Sequence, residues 1–269
     1  MDKERQDGFT PEMEARMYAP LEWDSPVTCK IQDLKEAQYE EVLRLIKVQL
    51  RENPERISIC HHYFREDPMC KAISLLQDQK SVNEYVDLIR TWLKDTTSLV
   101  ALSSTSGRVI GVAVTRINSN SDKIDMYNRA QNFEGDSLKK IMDLINAVIK
   151  QTNPYKEFNC DTYFRIYILC VHPSYQQKDI DAALLRTCFQ VASTLNQPAI
   201  AGVFTSGHTQ SMTLTLGFRL VSEIRYNRWV VNDEIVFDDP GKGNYSAAFM
   251  GMRIPADEDS QHNSEDVKQ

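Results

Sequence analysis

Hydrophobic residues in this 269-residue chain change their spacing from segment to segment, and the change predicts where strands and helices lie. Positions 163–171 are β-branched and aromatic, with Phe164, Ile166, Ile168 and Cys170 at alternate places, the pattern of a strand inside a sheet. Pro173 ends the run. Beyond it Ala182, Ala183, Leu184, Leu185, Cys188, Val191, Ala192 and Leu195 recur every three or four residues, which predicts a helix with one apolar face beginning near Lys178. A strand, a short turn and a helix in this order aim unpaired N–H groups and the positive end of the helix above the strand's carboxyl end, a ready site for an anion.

The same reading extends in both directions. A first strand is expected over 27–31, followed by a helix with Val42, Leu45, Ile46 and Leu50 on one face, opened by a capping signature at Asp33 and Glu36 and ended by Asn53-Pro54. Pro68 forbids a single helix through the irregular stretch 57–76. Ser81 and Glu84 form a second capping box, for a helix carrying Val82, Tyr85, Ile89, Trp92 and Leu93. Runs at 99–102 and 109–117, joined by a turn with Gly107, predict an antiparallel hairpin, and Asp136 is expected to cap a helix carrying Leu138, Ile141, Met142, Ile145 and Val148. A strand at 199–204, a short helix closed by Gly217, and strands over 219–231 and 247–254 around a turn-rich loop complete the chain. This order predicts one mixed α/β domain over 27–254, with helices on a central sheet, between a charged arm (1–26) and a disordered acidic tail (255–269).

Charge narrows the function. A net charge of −7 without any block of Lys or Arg excludes a nucleic-acid face and would steer a small cation inward. No apolar run approaches the roughly 20 residues that cross a bilayer, and the start MDKERQ has the pattern of neither a signal nor a transit peptide, so a soluble, cytoplasmic protein is expected. The six cysteines contain no C-x-x-C pair and read as free thiols of a reducing compartment, with no metal site.

Three segments carry a family resemblance. VHPSYQQKDIDAALL resembles the acetyl-coenzyme A motif of the GNAT N-acetyltransferase superfamily, TLGFRLVSEIRY resembles its C-terminal "LGF" segment, and FREDPM resembles a box of the insect arylalkylamine N-acetyltransferases. The resemblance covers about 27–254. It implies a GNAT-type mixed sheet flanked by helices, acetyl-CoA as co-substrate, no metal, and a small cationic amine that attacks the thioester directly in a ternary complex. Asp67 aligns with the glutamate implied as the base that takes the ammonium proton, with Glu66 beside it and His61 and His62 as chemically possible alternatives. Leu169, Cys170 and Val171 fall on the strand implied to hold the thioester, with a backbone N–H around Cys170 or Val171 facing its carbonyl. Ser206 and Thr209 fall where hydroxyls are implied to reprotonate the departing thiolate, Thr205 and Ser211 being close neighbours; these polar residues read equally well as the start of a helix.

The pyrophosphate turn is implied to be Gln176, Gln177, Lys178, Asp179, Ile180, Asp181 and Ala182, and here the sequence departs from the family pattern. That pattern, Gln/Arg-x-x-Gly-x-Gly/Ala, keeps two positions small so that the backbone can approach phosphate. Both are aspartate in this chain. A carboxylate about 5 Å from a phosphate charge, at an effective dielectric near 20, costs about 3 kcal/mol, more than a hundredfold in affinity. Either aspartate would also cap the helix and occupy the N–H groups a phosphate needs. Two functions are therefore carried forward: an N-acetyltransferase of arylalkylamines, and a silent GNAT-fold protein with impaired acetyl-CoA binding that holds an amine or a protein partner. Acetylation of protein lysines fits the acidic balance and the FREDPM box less well.

Overall fold

The computed structural model describes residues 21–23, 25, 29–46, 63–122 and 133–255. In chain order the strands are β1 (Glu22–Trp23), β2 (Cys29–Asp33), β3 (Leu99–Ser103), β4 (Val109–Ser119), β5 (Thr162–Val171), β6 (Ala199–Phe204), β7 (Arg219–Arg225), β8 (Val230–Val231), β9 (Glu234–Ile235) and β10 (Ser246–Arg253). The helices are α1 (Tyr39–Ile46), α2 (Tyr63–Glu66), α3 (Pro68–Ala72), α4 (Gln79–Leu93), α5 (Asp136–Lys150), α6 (Pro154–Glu157), α7 (Ile180–Thr194) and α8 (Gly207–Thr215). Eight strands form one sheet in the order β1-β2-β3-β4-β5-β6-β10-β7, and β8 pairs with β9 separately. Every neighbouring pair in the large sheet is antiparallel except β5 and β6.

Two apolar layers enclose this sheet. On one face α1, α4 and α5 bury Val42, Ile46, Tyr85, Ile89, Leu138 and Ile141. On the other α7 buries Ile180, Leu184, Cys188 and Val191 against Ile31, Ala101 and Phe164. The expected helix face of α7 is thus the buried one, and the hairpin of β3 and β4 forms as its alternation and Gly107 demand.

β5 departs from the simple alternation. Val114 of β4 pairs with Ile168 and the next residue, Thr115, pairs with Ile166, so Tyr167 is an extra residue, a β-bulge. One extra residue exchanges the two faces of a strand with period two. Phe164 and Ile166 therefore pack in the α7 layer, while Ile168 and Cys170 pack in the opposite layer. The sequence reading placed all four on one face; the bulge is the reason they divide. Parallel pairing of β5 with β6 also stops here, after Phe164↔Ile200, Arg165↔Ala201 and Ile166↔Gly202. At Gly202 a side-chain carbon would come within 2.9 Å of the Ile166 carbonyl oxygen, so only glycine lets the strands approach this closely before they part.

The helix starts correct three expectations. Asp33 is no cap: it is the last residue of β2, and its buried carboxylate accepts from the Trp23 indole N–H at 3.2 Å. α4 begins at Gln79 with Asp78 as its cap, two residues before the expected box. Ser81 and Glu84 instead serve α5: the Ser81 hydroxyl accepts from Leu138 N–H at 2.9 Å, and Glu84 accepts from Glu134 and Gly135 N–H at 3.0 and 2.9 Å. Asp136 is the first helical residue of α5 rather than its cap, which is Gly135. Helices that start side by side can share caps, and the sequence cannot show which N–H a carboxylate will face. The 219–231 run is likewise interrupted by a 3-10 turn at Tyr226–Arg228. The end of the first helix at Asn53-Pro54, most of the N-terminal arm, and the tail beyond residue 255 lie outside the described residues. The five described cysteines are free thiols, and no helix among the described residues is long and apolar enough to cross a membrane.

Asp78 ties α4 to α5, accepting from Ser81 N–H (3.1 Å), Ser81 hydroxyl (2.6 Å) and Ser137 N–H (3.1 Å). The Ser81 bonds pull its carboxyl down to about 2. Asp78→Ala removes a cap from two helices and is expected to cost about 1–2 kcal/mol in denaturant unfolding. Because the carboxyl titrates lower in the folded chain than in the unfolded one, its contribution is complete above about pH 4 and disappears as pH falls toward the folded value. The stability gap between native protein and Asp78→Ala should therefore narrow between those limits, as read from unfolding midpoints at successive pH values.

Candidate active site

Asp67 owes its position to Pro68. Proline has no N–H to contribute and fits the first turn of a helix, while the residue before it is held extended; Asp67 accordingly has φ −60° and ψ 127° and caps α3. Its Oδ1 accepts from Met69 and Cys70 N–H, each at 3.0 Å, and its Oδ2 accepts from the Thr205 hydroxyl at 2.5 Å. Thr205 follows β6 directly, and its carbonyl accepts from the Tyr226 hydroxyl at 2.6 Å. Only 6% of Asp67 is exposed. Burial pushes its carboxyl above the usual range, and the Thr205 hydroxyl and the α3 N–H groups offset part of that rise. The neighbouring Glu66 is exposed and lines the same cavity, whereas His61 and His62 lie outside the described residues.

Two cavities meet beside this carboxylate. The first, about 380 Å³, occupies the gap where β5 and β6 part and is lined by Asp67, Tyr167, Cys170, Thr205, Ser206 and Thr209 among others. The second, about 220 Å³, is an aromatic chamber with Tyr63, Tyr85, Trp92, Phe133, Met142 and Tyr167 in its wall. Tyr63, Ile166, Tyr167, Val203 and Thr205 line both, so the two are contiguous.

Strand alternation decides which backbone groups face the gap. His172 donates its N–H to the Ile110 carbonyl on β4 at 2.8 Å. Cys170 opposite Val112 is then directed to β4 as well, while Leu169 and Val171 turn their N–H and C=O toward the side where the ladder with β6 has ended. Of the two N–H groups singled out from the sequence, Val171 thus has the orientation to meet a ligand in the gap and Cys170 does not.

The turn before α7 is a 3-10 segment, Pro173–Lys178, followed by Asp179 in the left-handed region (φ 53°, ψ 26°). A residue with that φ is most at ease as glycine, and aspartate is one of the few others that tolerates it. Asp179 is exposed and makes no side-chain cap, against the capping role expected of it. Asp181 does occupy an N–H group: its Oδ1 accepts from Ala182 at 2.9 Å, and its Oδ2 meets His208 Nε2 on α8 at 2.8 Å. Asp181 and His208 both line the β5–β6 gap, and with Asp179, Ala182 and Arg186 they also line a shallow cleft between α7 and α8. Ile180 is buried in the core. Gln176, Gln177 and Lys178 belong to the 3-10 segment, and their side chains lie outside the described part.

Ser206 caps α8, accepting from Thr209 N–H at 3.2 Å, and the two hydroxyls are 2.9 Å apart; Thr209 donates to the Ser206 carbonyl at 3.0 Å. The helix-start reading of these residues is therefore correct, and both hydroxyls still line the gap. Ser211 instead faces the cleft beside Asp179. Four participants were missed. Tyr63, Tyr226 and His208 carry no local pattern that ties them to a site, but Arg165 did leave a signal: a charged residue in the middle of an otherwise apolar strand. Among the described residues no cluster of His, Cys, Asp and Glu could hold a metal ion. Thr205→Val is expected to cost about 1–3 kcal/mol, since it leaves a buried carboxylate oxygen without its donor. It should also move the Asp67 titration further up, measurable by carboxyl-carbon NMR.

No protein-family model matches the sequence, and no curated protein matches it. Solved structures do match by shape. Arylalkylamine N-acetyltransferase 2 from Aedes aegypti superposes with a TM-score of 0.74 at 21% identity, over 84% of this chain and 99% of its own. The putative arylalkylamine N-acetyltransferase 7 of the same mosquito gives 0.74 at 24% identity, over 88% and 96%. The polyamine N-acetyltransferase of Drosophila melanogaster gives 0.66 at 16% identity, over 83% and 99%. With its mixed sheet, bulged β5 and parted β5–β6 pair, the chain has the fold of the GNAT N-acetyltransferases.

Proposed function

We propose that this protein is an acetyl-coenzyme A-dependent N-acetyltransferase of small arylalkylamines, with Asp67 as its general base. The observation that carries the proposal is the placement of the buried Asp67–Thr205 pair where the aromatic chamber meets the β5–β6 gap. The similarity in shape to enzymes named for arylalkylamine and polyamine acetylation supports it.

Acetyl-CoA, when bound, supplies the acetyl group as a thioester. The gap fits a slender donor, because Leu169 and Val171 offer backbone groups that β6 leaves unmatched, and the cleft between α7 and α8 continues outward from it. In the chamber the aromatic walls exclude water from the acceptor and orient its ring. Asp67 takes the proton of the arriving ammonium, leaving the amine a free electron pair for attack on the carbonyl carbon. Burial makes the carboxylate more basic than an exposed one, and the Thr205 hydroxyl keeps it aimed. The N–H of Val171 or Leu169 holds the negative charge that develops on the carbonyl oxygen. As the carbon–sulfur bond breaks, the new amide nitrogen gives up its second proton and Ser206 or Thr209 relays it to the departing sulfur, so that an N-acetyl amine and a free thiol leave.

A second reading has its own support. Asp181 holds the Ala182 N–H, and Asp179 adds an exposed charge at the same helix start, both at positions that would face the pyrophosphate. In that reading the protein is a silent member of the fold that binds an amine or a protein partner and takes up acetyl-CoA poorly. Calorimetric titration with acetyl-CoA separates the two. If the carboxylates repel the donor, Asp179→Gly with Asp181→Ala binds it about a hundredfold more tightly than the native protein. If the native protein binds as tightly as the double variant, the silent reading falls.

For the base, Asp67→Asn is expected to lower kcat/KM for an aromatic amine by about 10²- to 10⁴-fold with donor affinity retained. Its stability should move the other way. A carboxyl whose pKa is raised in the folded state favours unfolding as pH rises through the interval between the unfolded and folded values, so at neutral pH the buried charge is a liability. Asparagine removes the charge and still caps α3. Asp67→Asn should therefore melt at or above the native temperature at pH 7, and a large loss of Tm alongside intact turnover would refute both halves of this assignment.

A further inference from the structure

One histidine–carboxylate pair stands at the junction of the β5–β6 gap and the α7–α8 cleft. Among the described residues, Asp181 on α7 and His208 on α8 are the two that line both cavities, so a ligand running from one into the other passes beside them. His208 Nε2 meets Asp181 Oδ2 at 2.8 Å, and the other carboxylate oxygen accepts from the Ala182 N–H at 2.9 Å. The two side chains differ in reach: that of Asp181 is 16% exposed and fixed at the start of α7, and that of His208 is 72% exposed. Asp179 and Arg186 of α7 share the cleft, and Glu66 and Asp67 line the gap. α8 has no other charged residue. The strands it packs on, β7 and β10, carry Arg219, Glu223, Arg225 and Arg253, and the loop against Gly207 carries Asp238, Asp239 and Lys242.

An imidazole has two nitrogens, and in the neutral ring one donates while the other accepts. With its Nε2–H given to Asp181, a neutral His208 keeps a bare lone pair on Nδ1, which repels a phosphate oxygen. A proton on Nδ1 reverses both the charge and the hydrogen-bonding sense. The imidazolium donates to Asp181 from one nitrogen and can donate to a phosphate from the other. Bridging two anions therefore requires the charged ring, and histidine is the side chain that gains this charge within the ordinary pH range.

We propose that His208 is a phosphate-binding cation of the donor site: it takes up a proton as the pyrophosphate of a coenzyme A thioester enters the cleft, offsets the charge of Asp181, and makes donor affinity rise as pH falls. This rests on the acetyltransferase reading for the identity of the donor, but its test is a binding measurement. Donor binding raises the proton affinity of His208, and by reciprocity protonation raises donor affinity by the same factor. The probe is acetyl-dephospho-coenzyme A, which keeps the pyrophosphate but lacks a free thiol and the phosphomonoester that itself titrates at about pH 6. Calorimetry on the full-length protein, from about pH 8 to about pH 6 and in two buffers of different ionisation enthalpy, gives both Kd and the protons taken up. One coupled proton allows up to about tenfold per pH unit, so Kd is expected to fall about ten- to a hundredfold over this range, with net proton uptake between its limits. His208→Gln should abolish the uptake and flatten the pH dependence, whatever the other charged groups contribute. His208→Arg, charged at every pH, should bind at the upper limit about as tightly as the native protein does at the lower one.

Native affinity that stays constant across this range overturns the proposal, as does proton uptake that survives in His208→Gln, or a native protein that binds no donor at the lower pH. His208 is exposed, so both variants are expected to fold; if one does not, the other decides. Proton-coupled donor binding without acetylation of any aromatic amine upholds His208 and removes the acetyltransferase reading. Acetylation with pH-independent donor binding removes only the role of His208.

Discussion

One extra residue in β5 is the constraint on which the candidate site depends. A strand that kept its register with β4 and β6 to the end would leave no room between them. The bulge at Tyr167 and the end of parallel pairing at Ile166 and Gly202 occur together, and three consequences follow. The strands separate, so a cavity opens in the middle of a sheet. Leu169 and Val171 keep backbone donors and acceptors that no neighbouring strand uses. Tyr167 stands in the wall of both cavities, where a regular strand would have continued its ladder. Bulges bend strands and re-aim side chains, and this one makes the boundary between the aromatic chamber and the β5–β6 gap.

Asp67 uses the opposite device, regular local structure in an unusual place. A helix cap is ordinarily a surface feature, because four N–H groups at a helix start are satisfied by water as readily as by a side chain. Here α3 starts inside the protein, so its cap is buried, and the carboxylate that satisfies Met69 and Cys70 must give up water to do so. The second oxygen is bonded to Thr205, whose carbonyl is fixed in turn by Tyr226. Every contact of this carboxylate is thus set by the fold before any ligand arrives. Desolvation and these donors pull its basicity in opposite directions, and desolvation prevails.

The sequence made the architecture legible wherever periodicity was the cause. α7, the β3–β4 hairpin, β6 and the break at Pro68 follow directly from spacing and proline chemistry. Those forces act within a few residues of one another. The errors all came from forces that act between segments. Ser81 and Glu84 have the spacing of a capping box, yet they face α5 because α4 and α5 begin next to each other. The bulge in β5 depends on β4 and β6, and an alternating pattern such as Phe164, Ile166, Ile168 and Cys170 looks the same with or without it. Of the candidate site, Asp67, Thr205, Ser206 and Thr209 were recognised through a resemblance and now stand within one cavity wall. Arg165, Tyr63 and Tyr226 come from elements far apart in sequence, and only the folded chain brings them together.

Net charge and local charge make opposite statements about this protein, and distance reconciles them. A net charge of −7 acts on an approaching molecule from outside, where salt screens it over a Debye length of about 8 Å, and it favours arrival of a cation. Once the molecule enters the chamber, groups a few ångströms away govern it through a low dielectric, and among the described residues of the wall the charged ones are Arg116, ion-paired with Asp95, and Arg165. On the proposed function, an amine is drawn in by the surface and oriented by the interior. On the proposed function its ammonium is then received at Asp67. Composition can set the rate of encounter, but the identity of the acceptor belongs to the few side chains that line the cavity.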